Sequence, residues 1–297
     1  MAPQPDAEAY DSLTLPRDDP LMPRGEAASP LANGGDGRAG SKSRRSHGPG
    51  DAARPAISIM TSVATAETIQ REYYRRTANK YDDWHRHGAD AHHDFALSFL
   101  SSAIRYLGVK SVLDIGSGTG RGLLSLKAQH PGVRIIGVEP SRDLREIGHQ
   151  NGLTQDELID GDALALGYPD STFDFVIETG ALHHIPNARK AVSEMLRVAS
   201  RGVFISDCNS YGQGSPAARA MKQFLRAVRL WKVYDFIRTR GTGYMITEGD
   251  GVFYSYSVYD DYPLIRRACR SVHVLNTSDA GVNPFRSAAQ VALIGLK

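Results

Sequence analysis

The stretch SVLDIGSGTGRG, Ser111 to Gly122, decides how the rest of the chain is read. A short apolar run leads into glycine at positions 116, 118, 120 and 122. A strand that passes into a helix through such a loop leaves backbone N–H groups and a positive helix end open to a ligand. Glycine also admits positive φ and close approach to the backbone. Two common ligands fit poorly. A phosphate-chain loop needs Lys followed by Ser or Thr after its last glycine, whereas Arg121-Gly122 follows Gly120. A dinucleotide fingerprint starting at Gly116 needs Gly or Ala at position 121, where arginine stands.

Outward from the loop, apolar runs alternate with helical patterns. Residues 112–115, 134–138, 158–161, 173–178 and 202–207 read as strands. Helical stretches at 120–130, 142–150 (behind Ser141) and 187–199 fall between them. Strand and helix in alternation with short connections predict an α/β fold, a mostly parallel sheet with helices on both faces. After Asp207 the rhythm breaks. One long helix is expected over 217–238, then a Gly- and Tyr-rich loop over 241–259, then a helix over 260–269. Strand-like runs at 272–276 and 290–296 would close the sheet as a hairpin-like pair, giving seven strands with an antiparallel C-terminal one. Two amphipathic helices, 66–84 and 94–107, precede the first strand.

Composition sets the outer bounds. The chain has 297 residues, 41% hydrophobic and 23% charged, with a net charge of +2. That balance gives no footprint for nucleic acid, and no apolar run approaches the roughly 18 residues that cross a bilayer. Two cysteines without metal-like spacing point to a reducing, cytoplasmic setting and suggest no metal site. Residues 1–60 hold eight of the fifteen prolines and few apolar side chains. They are read as a disordered tail, without the apolar core of a secretory signal. Patterned sequence begins just after Met60, which suits a start at that methionine. Residues 61–297 are then one domain, with a helical cap over 61–108 and an insertion over 210–260.

The loop Asp114-x-Gly116-x-Gly118-x-Gly120 resembles the first motif of class I S-adenosylmethionine-dependent methyltransferases. Three further stretches follow in the matching order: GVEPS with Glu139 and Pro140, DGDALALGYPDSTFDFV with Asp162 and Ala163, and ETGALHHI running on from Glu178. An acid about twenty residues past the loop can accept ribose hydroxyls without any phosphate. The resemblance covers 111–207 and implies a Rossmann-like fold and S-adenosyl-L-methionine as cofactor. It assigns cofactor contacts to Asp114, Gly116, Ser117, Gly118, Gly120, Glu139, Pro140, Asp162, Ala163 and Glu178. The exit of the fourth strand is most similar to the branch acting on quinones, sterols and natural products, so a small-molecule acceptor is expected, with O-, C- and N-methylation all open.

For a general base, His183 and His184 are the candidates, since imidazole titrates near neutrality. Neighbours leaving a strand point to opposite sides, so one of the two is expected to face the methyl, with His184 favoured. Tyr81, in the run YYRRTANKYDDWH with Tyr73 and Tyr74, matches the cap tyrosine of the resembling family. Arg219, Lys222, Arg226 and Arg229 have the spacing of one helix face and could steer an anionic acceptor. Aromatic residues of 241–260, with Glu248 and Asp250, could cover the acceptor. Competing readings are methylation of RNA or protein, a cofactor-binding regulator without turnover, and, third, an NAD-dependent oxidoreductase. Oligomeric state is not legible.

Overall fold

The central strands of the sheet are buried on both faces, and each face packs on its own set of helices. The computed structural model describes residues 65–86, 91–278 and 283–297, with only the backbone given for 79–86. The expected disordered tail, 1–60, lies outside the described residues. Five parallel strands form the body: β1 (Ser111–Ile115), β2 (Arg134–Val138), β3 (Leu158–Ile159), β4 (Phe173–Thr179) and β5 (Ala199–Cys208).

Successive side chains of a strand point to opposite faces. Val112, Phe175, Ile177 and Phe204 therefore pack on one face with Leu100, Ile104, Leu123 and Leu126. These come from α2 (Ala91–Leu107) and α3 (Arg121–Gln129). Leu113, Val176 and Val203 face the other side with Val192, Met195 and Ile265, from α5 (Ala188–Val198) and α8 (Val258–Ala268). Strands covered on both faces read as continuous apolar runs, which is why FVI in β4 and GVFI in β5 are visible in sequence.

The C-terminal pair is β8 (Ser271–Asn276) and β9 (Gln290–Leu296). The strand order is β3-β2-β1-β4-β5-β9-β8. The last strand inserts between β5 and β8 and runs antiparallel to both. The chain builds outward from β1 to β3 and then returns to start β4 on the other side of β1. In open α/β sheets that reversal opens a crevice at the carboxyl ends of the strands. The glycine loop leaves β1 at this point.

Two departures from the sequence reading lie in the cap. The single long helix expected over 217–238 is two helices, α6 (Pro216–Ala227) and α7 (Trp231–Arg238). Arg229 between them has φ 61, a left-handed conformation that no α-helix carries through. The Gly- and Tyr-rich loop contains a β-hairpin, β6 (Tyr244–Thr247) with β7 (Gly251–Tyr254). This hairpin is fastened to α1 (Ala66–Arg86). Gln70 receives a bond from Val252 N at 2.5 Å and gives one to Asp250 O at 3.3 Å, while Tyr73 Oη donates to Glu248 O at 2.9 Å. No helix among the described residues is long and apolar enough to cross a membrane.

Candidate active site

At the end of β1 the chain turns through Gly116 (φ +66) and reaches α3 through Gly120 (φ +74), both in the left-handed region. A Cβ at Gly116 would collide with Ala181, and one at Gly120 with Leu153. The loop is held against β2, since Gly116 N and Ser117 N both donate to Val138 O, at 2.9 and 3.1 Å. Glu139 completes the cradle: one carboxylate oxygen accepts from Gly118 N at 3.0 Å and the other from Ser141 N at 2.8 Å. These donors, with Arg145, work against the burial that pushes Glu139 up to about 7.

Asp114 lies beneath the loop, 3% exposed, and its Oδ1 has no hydrogen-bond partner among the described residues. Burial raises its pKa to about 7; Ser117 opposes the rise and the nearby Glu139 adds to it. A buried, unpaired carboxylate oxygen is costly, and a cationic amine beside it would relieve that cost.

These groups line a cavity of about 320 Å³, together with Pro140, Asp162, Ala163, Tyr74 and Val252. Asp162 is exposed and its Oδ1 accepts from Leu164 N at 2.8 Å. Of the residues expected to hold cofactor, Asp114, Gly116, Ser117, Gly118, Glu139, Pro140, Asp162 and Ala163 meet here. Gly120 caps α3 behind the wall. Glu178 is fully buried under the turn after β4, where it accepts from Ala181 N and from Leu182 N, the latter at 3.1 Å. Burial, and the Asp207 carboxylate next to it, push Glu178 well above the carboxylate range.

A second cavity, about 620 Å³, shares Arg121, Gly122, Thr179, Gly180, His184 and Tyr254 with the first. Its far walls come from α2, α6, α7 and the hairpin, with Leu97, Lys222, Trp231, Arg238 and Phe253 among them. His183 and His184 do not diverge as two residues leaving a strand would. They belong to a 3₁₀ turn (Leu182–His184), where the pleat no longer applies, and their ring centroids are 4.0 Å apart. Both line the larger cavity.

His183 Nδ1 donates to Asp207 Oδ1 at 2.7 Å, and His184 Nδ1 to Val252 O at 2.6 Å. Burial disfavours a charged His183, but Asp207 and Asp250 outweigh it and hold the imidazole well above its ordinary range. Asp207 and Asp250 are themselves held well below the carboxylate range, because the histidines overcome the cost of burial.

The side chain of Tyr81 lies outside the described residues; Tyr74 is the α1 tyrosine that lines the smaller cavity, edge-on to His184 with 6.4 Å between centroids. The basic stripe expected on one helix face is divided. Lys222 reaches the larger cavity and bonds Ser210 O and Gln213 O, Arg226 stacks on Tyr211 and pairs with Asp260, and Arg229 has left the helix. Asp207 and Gln70 had no assigned role in the sequence reading. Asp207, an acid at the carboxyl end of a parallel strand, carries a positional signal for function; Gln70 carries none.

Residues 113–206 match the family described as "Methyltransferase domain". The chain is 30% identical over 141 residues to norajmaline N-methyltransferase of Rauvolfia serpentina, across 43% of this chain and 48% of that protein. It is 30% identical over 96 residues to demethylmenaquinone methyltransferase of Thermus thermophilus, across 31% of this chain and 44% of that one. The chain thus spans about half the length, or less, of these curated relatives. Among solved structures, magnesium protoporphyrin IX methyltransferase from Synechocystis PCC 6803 with bound SAH shares the fold. The TM-score is 0.51 at 16% identity, with 78% of this chain and 99% of that chain covered.

Proposed function

From the premise that the chain carries a class I S-adenosylmethionine-dependent methyltransferase domain, we propose that it methylates a small molecule held in the 620 Å³ cavity. The observation that carries this reading is the wall common to the two cavities, formed by Arg121 and Gly122 at the start of α3, the turn after β4 and Tyr254. One compartment has the donor set for a nucleoside with an amino-acid tail. The other has room and polar groups for an acceptor.

The residues fit the cofactor. Asp114, with its unpaired oxygen, suits an ammonium group, and Gly116 and Gly118 let the chain approach closely. Glu139 suits ribose hydroxyls and Asp162 an exocyclic amine. When bound, S-adenosylmethionine supplies an activated methyl for direct displacement. The protein's own contribution is alignment, which is worth roughly 7–11 kcal/mol in well-oriented reactions. Tyr74 of α1 and Val252 and Tyr254 of the hairpin line the smaller compartment opposite the glycine loop. His184 borders both compartments, and His183, held by Asp207, is the titratable group beside it.

Gln213, Lys222, Arg238 and Ser255 make the far wall polar, which favours an acceptor with a polar group at that end. A recessed cavity of about 620 Å³ walled by α2, α6, α7 and the hairpin favours a small molecule over RNA or a folded protein. Calorimetry with S-adenosylmethionine and, separately, NAD tests the donor side: heat is expected with the first alone, and heat with NAD alone would reverse the assignment. Labelled cofactor incubated with small-molecule and RNA fractions tests the acceptor side. Label is expected in the small-molecule fraction, and label in RNA alone would overturn that half of the reading.

A further inference from the structure

The two histidine rings and the hairpin acid converge on one point from different parts of the chain. His183 Nε2 lies 3.5 Å from Asp250 Oδ2, and His184 Nε2 lies 3.5 Å from Asp250 Oδ1. Ligand atoms of His183, His184 and Asp250 all fall within 4.8 Å of one another. A separation of 3.5 Å is longer than the roughly 2.7–3.2 Å of an N–H···O hydrogen bond. It equals the spacing of two ligands sharing a tetrahedral ion: bonds of roughly 2.0–2.2 Å place ligand atoms about 3.3–3.6 Å apart.

The far side of each ring carries the second signature. In metal sites, the nitrogen that does not bind the ion usually donates to a carboxylate or a backbone carbonyl, fixing the tautomer. His183 Nδ1 is 2.7 Å from the fully buried Asp207 carboxylate, and His184 Nδ1 is 2.6 Å from Val252 O. Those contacts turn both Nε2 atoms toward the Asp250 carboxylate, one ring facing each of its oxygens.

We propose that His183, His184 and Asp250 bind a divalent first-row transition ion, of the zinc class, at the wall between the two cavities. Imidazole with carboxylate suits zinc, iron or nickel more than magnesium or calcium, which prefer all-oxygen shells. Three protein ligands leave coordination open, as in catalytic zinc sites, and the open side faces the larger cavity that His183, His184 and Asp250 all line. The ion also ties the hairpin, through Asp250, to the turn after β4.

A second group, His183, Asp207 and Cys208, is close enough to be considered. Its His183 Nδ1 to Asp207 distance of 2.7 Å is that of a hydrogen bond, too short for two ligands of one ion. Cys208 Sγ is meanwhile committed to Tyr256 O at 3.3 Å. That set is the outer shell of the proposed site rather than a site of its own.

An acceptor hydroxyl ligating the ion would ionise more readily, because a bound metal lowers the pKa of its oxygen ligand. This role rests on the methyltransferase reading; the binding of the ion does not. The test uses the full chain, stripped with a chelator and titrated with Zn²⁺ in a calorimeter, with Co²⁺ as a spectroscopic probe. One equivalent of Zn²⁺ is expected, with ligand-field absorption from bound Co²⁺. Affinity should fall at least tenfold in Asp250→Asn and in His184→Gln, and stay within twofold in Cys208→Ser, with each variant's fold checked by circular dichroism. Failure to bind Zn²⁺ stoichiometrically overturns the proposal, as does binding that survives Asp250→Asn but is lost in Cys208→Ser. S-adenosylmethionine titrated into the stripped protein reports separately on the donor site, so either reading can fail without the other.

Discussion

Replacing Asp114 by Asn should strengthen the fold and weaken cofactor binding at the same time. Asp114 is 3% exposed with one carboxylate oxygen unpaired, and its pKa rises from 3.8 to about 7. An acid raised on folding carries no penalty below its unfolded pKa. The penalty then grows as pH rises, because the unfolded chain gives up the proton first, and it is complete above the folded value. At about 1.36 kcal/mol per pKa unit, the cost of ionising Asp114 is about 1.7 kcal/mol at pH 5 and about 4 kcal/mol at pH 8. Asn keeps the shape and removes the charge. Thermal unfolding of the ligand-free protein at pH 5 and pH 8 should therefore show Asp114→Asn gaining more at pH 8, by about 2–3 kcal/mol. Calorimetry at pH 8 should show the opposite sign for S-adenosylmethionine, with affinity down roughly 10–150-fold for one lost charged hydrogen bond. A variant with equal gain at both pH values, or with the affinity of the parent, would refute the assignment of Asp114 as the partner of a cationic amine.

Gly116→Val places a branched side chain at φ +66 against Ala181. It should lower stability by about 1–3 kcal/mol, measured by urea unfolding, and abolish detectable S-adenosylmethionine heat. Gln70→Leu removes both bonds that Gln70 makes to the β7 end of the hairpin. Amide exchange over 244–254 should speed up, and the acceptor KM should rise more than kcat changes. Asp162→Ala should weaken S-adenosylmethionine binding in calorimetry, and an unchanged affinity would remove Asp162 from the adenine side of the site.

The parallel sheet was legible because burial on both faces writes itself as unbroken apolar runs, such as FVI in β4 and GVFI in β5. The donor loop was legible because it is local: Gly116, Ser117 and Gly118 are contiguous, and Glu139 lies one strand away. The cap was less so. Nothing in the run from Ala217 to Arg238 breaks the helical periodicity, since Arg229 adopts a left-handed backbone without being glycine, and no proline follows to announce the end of α6. The β6–β7 hairpin is mixed in polarity because it has one face on α1 and the other on a cavity, so strict alternation never develops.

The histidine pair shows where pattern reading gives out. Reading His183 and His184 as the end of a strand sends their side chains apart, and one must then be chosen. A 3₁₀ turn at that point brings both rings to the same wall. What fixes them is remote in sequence. Asp207 arrives on β5, and Asp250 arrives on a hairpin that Gln70 and Tyr73 of α1 hold in place. No periodicity encodes a meeting of that kind, because each partner is an ordinary acid in its own segment. The chemistry at the shared wall therefore depends on the cap being docked, and perturbing Gln70, which touches neither histidine, should be felt at both.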